Sequence, residues 1–349
     1  MKRVLLGMSG GVDSSAAAAL LLEQGYDVTG LTLDLVPNGG AAQMIADART
    51  AARQLGIPHM VLELHDLFGR AVIQPFVDAY LHGRTPNPCI FCNQKIKFGA
   101  MLEKALEFGM DYIATGHYAR VSEENGQYFL KVAAVPEKDQ SYVLYGLTQQ
   151  QLSHTLLPLG AYSKEQVRAI AEKAGMAAAK KKDSQEICFV PDNDYAAFIA
   201  ARAGRLPPPG EFVDMAGNVL GQHRGLIHYT IGQRKGLGIA LGQPMFVTAI
   251  DAANNRVVLG RQGSEYAGAL IAEQVNYIAP DTPTAPFVCD GRIRYNGKTG
   301  RALVTPLSGG SAKVEFETPV RAITPGQAVV FYQGDTVLGG GTIVKQVSE

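Results

Sequence analysis

The sequence has few of the features that mark secreted, membrane-embedded or strongly charged proteins. It contains only four cysteines in 349 residues, which is too few for a disulfide-scaffolded secreted protein. In a reducing compartment, these cysteines are better interpreted as catalytic residues, metal ligands or inert core residues. No run approaches the roughly eighteen apolar residues of a membrane span. The N-terminus leads directly into a predicted strand, so we expect no signal peptide, no membrane partner and a cytoplasmic location. The formal net charge is zero, so nucleic-acid contacts would have to come from local basic patches.

The remaining composition is that of a globular chain with a sizeable core. Hydrophobic residues make up 46% of the sequence and charged residues 18%. At this length we expect two or three domains. The chain shows no internal repeats and no low-complexity tails.

The most informative stretch is a glycine-rich loop near the N-terminus, residues 9–15, with the sequence SGGVDSS. A short apolar run precedes it, and an Ala- and Leu-rich segment follows it and ends at Gly25. A strand, a glycine turn and a helix start predict an anion site, because glycine lets the backbone approach phosphate while free N–H groups point at it. Two glycines alone would fit an ordinary strand–helix turn, but the Asp13-Ser14-Ser15 tail favours phosphate. The loop is not a Walker A loop, because no Gly-Lys-Ser/Thr follows the glycines. It is not a dinucleotide-binding fingerprint either, because its glycines do not have the required spacing.

Strand and helix patterns alternate through the first part of the chain. The patterns predict strands at 2–8, 26–36, 59–64 and 112–115, and helices at 14–24, 41–55, 67–81 and 98–108. This alternation predicts an α/β fold, a doubly wound parallel sheet with helices on both faces. Ligands bind beyond the C-terminal ends of such strands, where the glycine loop and the turn at 115–118 would both lie.

The pattern changes further along the chain. We predict a hairpin over 121–135 around Asn125-Gly126 and a helix over 163–174 that begins with a Ser163–Gln166 capping box, after which the helical pattern fails. The sequence PPPG at 207–210 marks a linker, and the wholly β pattern from residue 269 indicates a small closed barrel. We therefore expect a catalytic domain over 1–200, a small central domain over 201–268 and a C-terminal β-barrel over 269–349.

Three of the four cysteines lie in two distinctive segments. Cys89 and Cys92 form a CxxC in TPNPCIFCN, where two prolines restrict the backbone just before the thiols. Cys188 follows the lysines at 180–182 in KKKDSQEICF, and neighbouring lysines favour a thiolate and attract phosphate. A zinc half-site is the alternative for the CxxC, although no second motif completes four ligands. Taken alone, the second segment would favour a buried apolar cysteine and a solvated lysine face.

The glycine loop resembles the SGGxDS loop of the PP-loop ATP pyrophosphatases, which split ATP between its α and β phosphates and attach AMP to an oxygen that must leave. Over nearly its full length the chain resembles the tRNA-specific 2-thiouridylases, the MnmA family. The matching segments are GMSGGVDSS, DARTAARQLGIPH, GRTPNPCIFCNQKIKF, ATGHYAR, KDQSYVLYGL, DSQEICFV, GQHRGLIHYTIGQRKGLGIA, RIRYNG and VFYQGDTVLGGG.

This resemblance implies ATP-dependent 2-thiolation of the wobble uridine, U34, of tRNA. The implied reaction adenylates the uracil O2 and replaces it with sulfur from a cysteine persulfide, giving 2-thiouridine, AMP and pyrophosphate. ATP with Mg²⁺ is the implied cofactor. The implied partners are the anticodon stem-loop of tRNA and a cysteine desulfurase or sulfur-relay protein as sulfur donor.

The family's functional residues carry over to matching positions of this sequence. The implied ATP site consists of Gly7, Met8, Ser9, Gly10, Gly11, Val12, Asp13, Ser14, Leu33 (often Met in the family) and Gly116. Asp13, Cys92 as nucleophile and Cys188 as persulfide carrier are the implied catalytic residues, and Cys92 either releases sulfide from Cys188 or closes a disulfide with it. The target base, which must be extruded because a stacked C2 oxygen is hard to reach, would contact Asn87, Pro88 and Cys89. The implied tRNA contacts are His117, Lys138, Asp139, Gln140, Arg294, Tyr295 and Gln333.

Basic residues in the second half fit the RNA binding that the resemblance implies. A predicted β segment combines an aromatic ring with cations suited to stacking and phosphate contacts, namely Arg292, Arg294, Tyr295, Lys298 and Arg301. Without the resemblance, a solvated strand face would be the preferred interpretation of this segment. A second basic stretch at 223–235 gives the central domain its expected contact with tRNA.

Cys89 departs from the family members that have Asp at this position. A carboxylate would serve as general acid or base, which a thiol does poorly unless its pKa is lowered. A second possibility is therefore that Cys89, Cys92 and Cys188 are three ligands of a [4Fe-4S] cluster with one iron left open for sulfide. The persulfide route is our expectation and the cluster is its alternative; Cys289 matches no motif and is interpreted as inert.

Two other classes of protein compete with this interpretation. PP-loop enzymes that make lysidine, GMP or argininosuccinate would not explain the paired cysteine motifs. A non-catalytic RNA-binding or sulfur-carrier protein would not need an intact ATP loop, and Ser9, Asp13 and Ser14 are all present.

Overall fold

The computed structural model describes residues 1–37, 41–176, 187–204, 206–279 and 283–347. Its α-helices are α1 Val12–Glu23, α2 Ala42–Gln54, α3 His65–Phe68, α4 Gln74–Leu81, α5 Pro88–Phe91, α6 Met101–Glu107, α7 Gln149–Ser153, α8 Lys164–Lys173 and α9 Tyr195–Ala203. The π-helices are Gly69–Ile73 and Cys92–Ala100, and the 3₁₀ turns are Pro136–Lys138, Ser141–Leu144, Pro191–Asn193 and Leu226–His228. No helix in these ranges is both long and apolar enough to span a bilayer.

The strands are divided among three sheets. In chain order they are β1 Arg3–Gly7, β2 Asp27–Asp34, β3 His59–Glu63, β4 Tyr112–Ala114, β5 Ala119–Glu124, β6 Gln127–Val132, β7 Thr155–Leu156, β8 Gly210–Asp214, β9 Val219–His223, β10 Met245–Asp251, β11 Arg256–Arg261, β12 Tyr266–Tyr277, β13 Phe287–Arg292, β14 Gly300–Leu307, β15 Ser311–Arg321, β16 Ala328–Gln333 and β17 Thr336–Val347.

The first sheet has the order β3-β2-β1-β4-β7, and all of its pairings are parallel. Alternate residues of β1 point into two different cores, as expected for a strand buried on both faces. Val4 and Leu6 pack with α1, α2 and α8, whereas Leu5 packs with α6 on the opposite face. The predicted doubly wound α/β sheet is confirmed.

The helices of this domain differ from the prediction in their internal geometry. The predicted helix at 67–81 consists of α3, a π-helix and α4, and a second π-helix, Cys92–Ala100, precedes α6 where a helix at 98–108 was predicted. The Ser163–Gln166 capping box is present at the start of α8. The prediction that no helix follows was wrong, because Asp194 caps α9 by accepting from the Ala197 N–H.

The second and third sheets form the rest of the molecule. The second has the order β10-β11-β8-β9. In the third, β12, β15, β14, β13, β16 and β17 pair in sequence, and β12 also pairs with β17, so the strands close into the predicted barrel. The β5–β6 hairpin, found where Asn125-Gly126 predicted it, joins the edge of this barrel through the Lys131–Thr336 pairing.

Contacts between these units hold the segment that leads to the CxxC motif. The Thr85 N–H donates to Pro325 O over 2.9 Å, and Gln327 Nε2 donates to Thr85 O over 2.8 Å. The hydroxyl of Thr85 lies 3.3 Å from that of Thr230, which follows the 3₁₀ turn Leu226–His228. One residue therefore ties the first domain to both β units just before the cysteines.

Candidate active site

The glycine loop lies at the C-terminal end of β1, where it turns into α1. Gly11 is the N-cap residue of α1 and no side chain caps it, so the free N–H groups of the first turn face the loop. Ser14 and Ser15 turn their hydroxyls back onto Gly11 O at 3.2 and 3.0 Å. The Met8 N–H donates to Leu31 O, which fixes the loop against β2. This is the backbone arrangement that the sequence predicts for an anion site.

The two loop glycines are required for different reasons. Gly10 has φ +68°, and a Cβ at this position would lie 2.4 Å from Asp47 Cβ and 2.7 Å from Ala48 N in α2. Gly11 has an ordinary extended φ of −87°, and a Cβ there would meet nothing closer than Ser9 Oγ at 3.4 Å. Gly10 is thus fixed by backbone and packing, whereas the space beside Gly11 is open. Open space of this kind would allow a phosphate to approach the backbone.

Asp13 is held by two residues from distant parts of the chain. Lys164 Nζ, at the start of α8, lies 2.8 and 2.9 Å from the two carboxylate oxygens, and Tyr118 Oη donates to Oδ1 over 2.7 Å. Lys164 is buried, whereas about a third of the Asp13 side chain is exposed, at 35%. The carboxylate is therefore oriented before any nucleotide binds.

The other residues assigned to ATP lie at the same edge of the sheet. Leu33 is near the end of β2, and Gly116 follows β4. A Cβ on Gly116 would lie 3.1 Å from Asp13 Cβ, so the turn after β4 packs closely on the glycine loop. The ends of β1, β2 and β4 thus surround one site, as the topology predicts.

The CxxC motif lies on a helix whose start is capped. Asn87 accepts the Cys89 N–H with its side-chain oxygen at 3.2 Å, and Pro88 occupies the first helical turn, where its missing N–H costs nothing. Cys89 is on α5 and exposed, whereas Cys92 begins the π-helix and is buried. The two thiols therefore differ in their access to solvent.

The third cysteine is adjacent to this helix in the fold. Cys188 is exposed, but the next residues, Phe189 and Val190, pack with Cys92 and Ile96 in one apolar cluster. All four cysteines of the chain are free thiols in the structure, so no disulfide joins Cys92 to Cys188. The preceding residues 180–186 lie outside the described part of the chain.

The protein environment disfavours the thiolate form of each of these thiols. Burial raises the pKa of Cys92 to about 11. Partial loss of hydration also raises the pKa of Cys89 and of Cys188, although both side chains keep contact with solvent. The positive charge of Lys97 opposes this rise at all three cysteines.

His117 lies between the ATP edge and the cysteines. It follows Gly116 and is buried, and its Nδ1 shares a 2.7 Å hydrogen bond with Thr115 Oγ1. Its ring packs against Phe98 of the π-helix, with the ring centroids 5.8 Å apart. Burial, followed by the charge of Lys97, places the pKa of His117 well below that of a free imidazole. The neutral ring connects the two halves of the site.

The described ranges contain no group of three or more His, Cys, Asp and Glu side chains arranged to hold a metal ion. Although Cys89, Cys92 and Cys188 are neighbours, their present positions do not form the ligand set of an iron–sulfur cluster. We therefore assign no step to a cluster.

The residues predicted to contact tRNA fall into two groups. Tyr295 and Gln333 are exposed on the barrel. Several of the others make internal contacts: Asp139 is buried and accepts from Arg292 Nη1 at 3.2 Å, and Gln140 accepts the Tyr118 N–H. Lys138 lies in the 3₁₀ turn next to them and is half-buried.

Arg294 is also engaged within the protein. Its Nη2 lies 3.0 Å from Ile231 O, 3.0 Å from Ala322 O and 2.8 Å from Thr324 Oγ1. The guanidinium therefore joins the central unit to the barrel. Of the predicted basic β segment, Lys298 and Arg301 are the exposed cations.

Sequence reasoning did not identify Lys164, Tyr118 or Lys97. Lys164 and Asp13 are 151 residues apart, and no local pattern relates them. Lys97 is five residues after Cys92, a spacing that places two side chains on one face only if the helix has π geometry. Only the fold reveals these relations.

A parallel sheet with this phosphate loop, followed by two β units, defines a HUP-domain protein with two C-terminal β modules. Family models agree with each part: one described as "tRNA methyl transferase HUP domain" matches residues 2–192. Those described as "tRNA methyl transferase PRC-barrel domain" and "Aminomethyltransferase beta-barrel domain" match residues 196–261 and 267–343.

Curated relatives narrow this class to one family. The tRNA-specific 2-thiouridylase MnmA of Acetivibrio thermocellus is 53% identical over 98% of this chain and 99% of its own length. That of Clostridium acetobutylicum is 51% identical over 98% and 99%, and that of Carboxydothermus hydrogenoformans 52% identical over 99% and 98%. This chain belongs to the MnmA family of tRNA-specific 2-thiouridylases.

Solved structures add little to this result. The U34-tRNA thiolase NcsA from Methanococcus maripaludis with its [4Fe-4S] cluster is 19% identical, and the match covers 53% of this chain and 60% of that one with a TM-score of 0.36. At that TM-score we draw nothing from it about these cysteines.

Proposed function

We propose that this chain uses ATP to replace the O2 of U34 in tRNA by sulfur, giving 2-thiouridine, AMP and pyrophosphate. The observation that supports this most directly is that the phosphate loop, the Gly116–His117 turn and the helix that carries Cys92 follow one another in space. An oriented phosphate loop is followed by the Gly116–His117 turn, and His117 packs on the helix that begins with Cys92. ATP activation and sulfur chemistry thus adjoin one another.

The first half-reaction takes place at the phosphate loop. The N–H groups of the first turn of α1 bind the phosphates, and the open space beside Gly11 lets them approach. The O2 of U34 bonds to the α-phosphorus, the N3 proton is lost to solvent, and pyrophosphate leaves with the electrons of the broken P–O bond. Mg²⁺ accompanies the ATP as the counter-ion of its phosphates, and we assign it no protein ligand.

The second half-reaction uses Cys188 as persulfide carrier and Cys92 as nucleophile. The terminal persulfide sulfur attacks C2, AMP leaves with the electrons of the C2–O bond, and the Cys92 thiolate attacks Cys188 Sγ to leave sulfur on the base and a disulfide between the cysteines. Alternatively, Cys92 attacks first and the released sulfide attacks C2. In both routes the outer persulfide sulfur is reduced to the sulfide level, the Cys92 thiol is oxidised, and Cys92 and Cys188 end as a disulfide. A dithiol reductant and then a persulfide donor restore the enzyme.

The remaining assignments are part of the same proposal. Asn87, Pro88 and Cys89 contact the extruded base, and Leu33 and Gly116 contact adenosine. The tRNA contacts are His117, Lys138, Asp139, Gln140, Arg294, Tyr295 and Gln333. The sulfur donor is a cysteine desulfurase or sulfur-relay protein, the location is cytoplasmic, and the three domains divide near residues 200 and 268.

The test uses protein freed of metal and confirmed by iron analysis. ATP with Mg²⁺, a small-molecule persulfide, dithiothreitol and unmodified tRNA with U34 are added, and 2-thiouridine is measured by nucleoside mass spectrometry. We expect several turnovers of product. Cys92→Ser and Cys188→Ser should lose the product but keep tRNA-dependent pyrophosphate release, whereas Cys289→Ser, in the barrel core, should resemble the parent protein.

Three outcomes would contradict this proposal. Product formed only after anaerobic iron–sulfur reconstitution would replace the persulfide route by a cluster. Pyrophosphate release without any thionucleoside would point to a different substrate oxygen or base. No reaction under either condition would contradict the assigned activity.

A further inference from the structure

Lys97 projects from the same π-helix as Cys92, one π-turn further along. In a π-helix each N–H bonds to the carbonyl five residues back, and here the Met101 N–H donates to Ile96 O. Residues five apart therefore stack on one face, which places Lys97 above Cys92. The helix is fixed in this position because Asn93 Nδ2 donates to Val143 O over 3.0 Å.

Lys97 is half-buried. In the part of the chain that the structure describes, its ammonium has neither an ion pair nor a side-chain hydrogen bond. Its positive charge is therefore not neutralised by a neighbouring carboxylate of the described residues, and it can act on the groups around it.

Lys97 is close enough to the cysteines and to His117 to act on both electrostatically. Its charge acts on Cys89, Cys92 and Cys188, and it also acts on His117. The next residue of the helix, Phe98, packs on the His117 ring. Among the described cations, Lys97 is the one that acts on all three of these thiols.

We propose that Lys97 stabilises the anionic sulfur that replaces the U34 oxygen, and does not take part in adenylation. The inference rests on the proposed function. In the transfer step one negative charge passes from sulfur to the departing AMP, and a fixed ammonium in a site of low dielectric stabilises that charge along its path. No proton leaves Lys97, so its role is electrostatic throughout.

The exposed Lys95 provides a matched control, because it lies on the same π-helix but points to solvent. Lys97→Met should lower the rate of 2-thiouridine formation at least tenfold and leave tRNA-dependent pyrophosphate release within about twofold. Lys97→Arg, which keeps the charge, should restore most of the rate, and Lys95→Met should resemble the parent protein. A purely structural lysine would affect both half-reactions together and would not be rescued by arginine.

A second readout measures the charge without the reaction. Iodoacetate and iodoacetamide alkylate the same thiol but differ in charge, so the ratio of their rates at the exposed Cys188 reports the local potential independently of thiol ionisation. We expect this ratio to fall about fivefold in Lys97→Met and to stay unchanged in Lys97→Arg and Lys95→Met.

These readouts separate the two hypotheses. Unchanged alkylation ratios together with unchanged thiolation in Lys97→Met would overturn the role of Lys97. Equal losses of pyrophosphate release and thiolation would overturn it as well. If the parent protein makes no 2-thiouridine while the alkylation ratio still depends on Lys97, the proposed function fails and the electrostatic assignment stands.

Discussion

Asp13 shows how the site depends on single residues that are remote in sequence. Its carboxylate binds Lys164 Nζ at 2.8 and 2.9 Å and Tyr118 Oη at 2.7 Å. We expect Lys164→Met to destabilise the protein by about 2 kcal/mol, since charged hydrogen bonds to a partly buried carboxylate are lost. The freed carboxylate should also repel phosphates and raise the KM for ATP about tenfold. Urea unfolding and ATP titration of tRNA-dependent pyrophosphate release measure the two effects.

Lys173→Met is the control for this prediction, because Lys173 lies on the last turn of the same helix and is exposed. Tyr118→Phe should cost about 1 kcal/mol, because one neutral donor is removed. A KM for ATP in Lys164→Met equal to that of Lys173→Met would show that the pair has no part in nucleotide binding.

His117 should make the protein sensitive to acid. Burial and the nearby Lys97 lower its pKa in the folded state below the unfolded value of 6.5. Below pH 6.5 the unfolded chain therefore binds a proton that the folded chain does not, so stability falls as the pH falls, by up to about 1.4 kcal/mol per pH unit. Above pH 7 this contribution should be constant.

The measurement is urea unfolding between pH 5 and 8 of the parent protein and of His117→Gln. The variant should lose less stability between pH 7 and pH 5, and the exposed His82→Gln should follow the parent curve. Parallel curves for the parent and His117→Gln would mean that His117 becomes protonated without unfolding.

The β1–loop–α1 element makes separate demands on its two glycines. Gly10→Ala should destabilise the protein by about 3 kcal/mol, because φ is +68° and the new Cβ would meet Asp47 and Ala48 at 2.4 and 2.7 Å. Gly11→Ala should leave the stability within about 1 kcal/mol, since its backbone is ordinary and its surroundings are open. It should nevertheless weaken ATP binding more than tenfold, because the methyl group occupies phosphate space.

Thermal melting and isothermal titration with a non-hydrolysable ATP analogue distinguish the two variants. If Gly11→Ala binds the analogue as tightly as the parent protein, the phosphates do not approach this side of the loop.

Elements determined by residues that are adjacent in the sequence could be predicted. Elements that depend on contacts with distant segments could not. The glycine loop, the Asn-Gly hairpin and the Ser163 capping box follow from residues next to one another. The strand β7 has two residues and exists because β4 provides its hydrogen bonds. The π-helices contain ordinary helix-forming residues, so nothing in their composition distinguishes i+5 from i+4 bonding.

At the scale of the whole molecule, the sequence shows which residues are basic, but not which of them are exposed and which bind partners inside the protein. The segment around Tyr295 suggested a continuous phosphate-binding face, yet Arg292 pairs with Asp139 and Arg294 donates to carbonyls of two units. The first of these partners is 153 residues away along the chain. Local charge patterns cannot separate surface cations from interdomain ones when their partners come from distant segments.

The Asp139–Arg292 pair is the buried ionic contact that should matter most for joining the first domain to the barrel. Asp139 also accepts from the Ala133 and Ser141 backbone, and the guanidinium stacks over the Tyr332 ring at 4.8 Å. Arg292→Ala would leave the carboxylate buried without its cation, so we expect a loss of about 3–5 kcal/mol by urea unfolding. The double variant with Asp139→Asn should lose less, because no uncompensated charge remains.

Arg301→Ala is the matched control, because Arg301 is on the adjacent strand, is half exposed and pairs with Asp290 only at 3.9 Å. Its loss should stay below about 1 kcal/mol, since exposed ion pairs contribute little. A loss in Arg292→Ala no larger than in this control would mean that water reaches Asp139 once the arginine is gone. The junction between the barrel and the catalytic domain would then depend on its other contacts, among them the Thr85 bonds to Pro325 and Gln327 and the bond from Tyr142 Oη to Ala328 O.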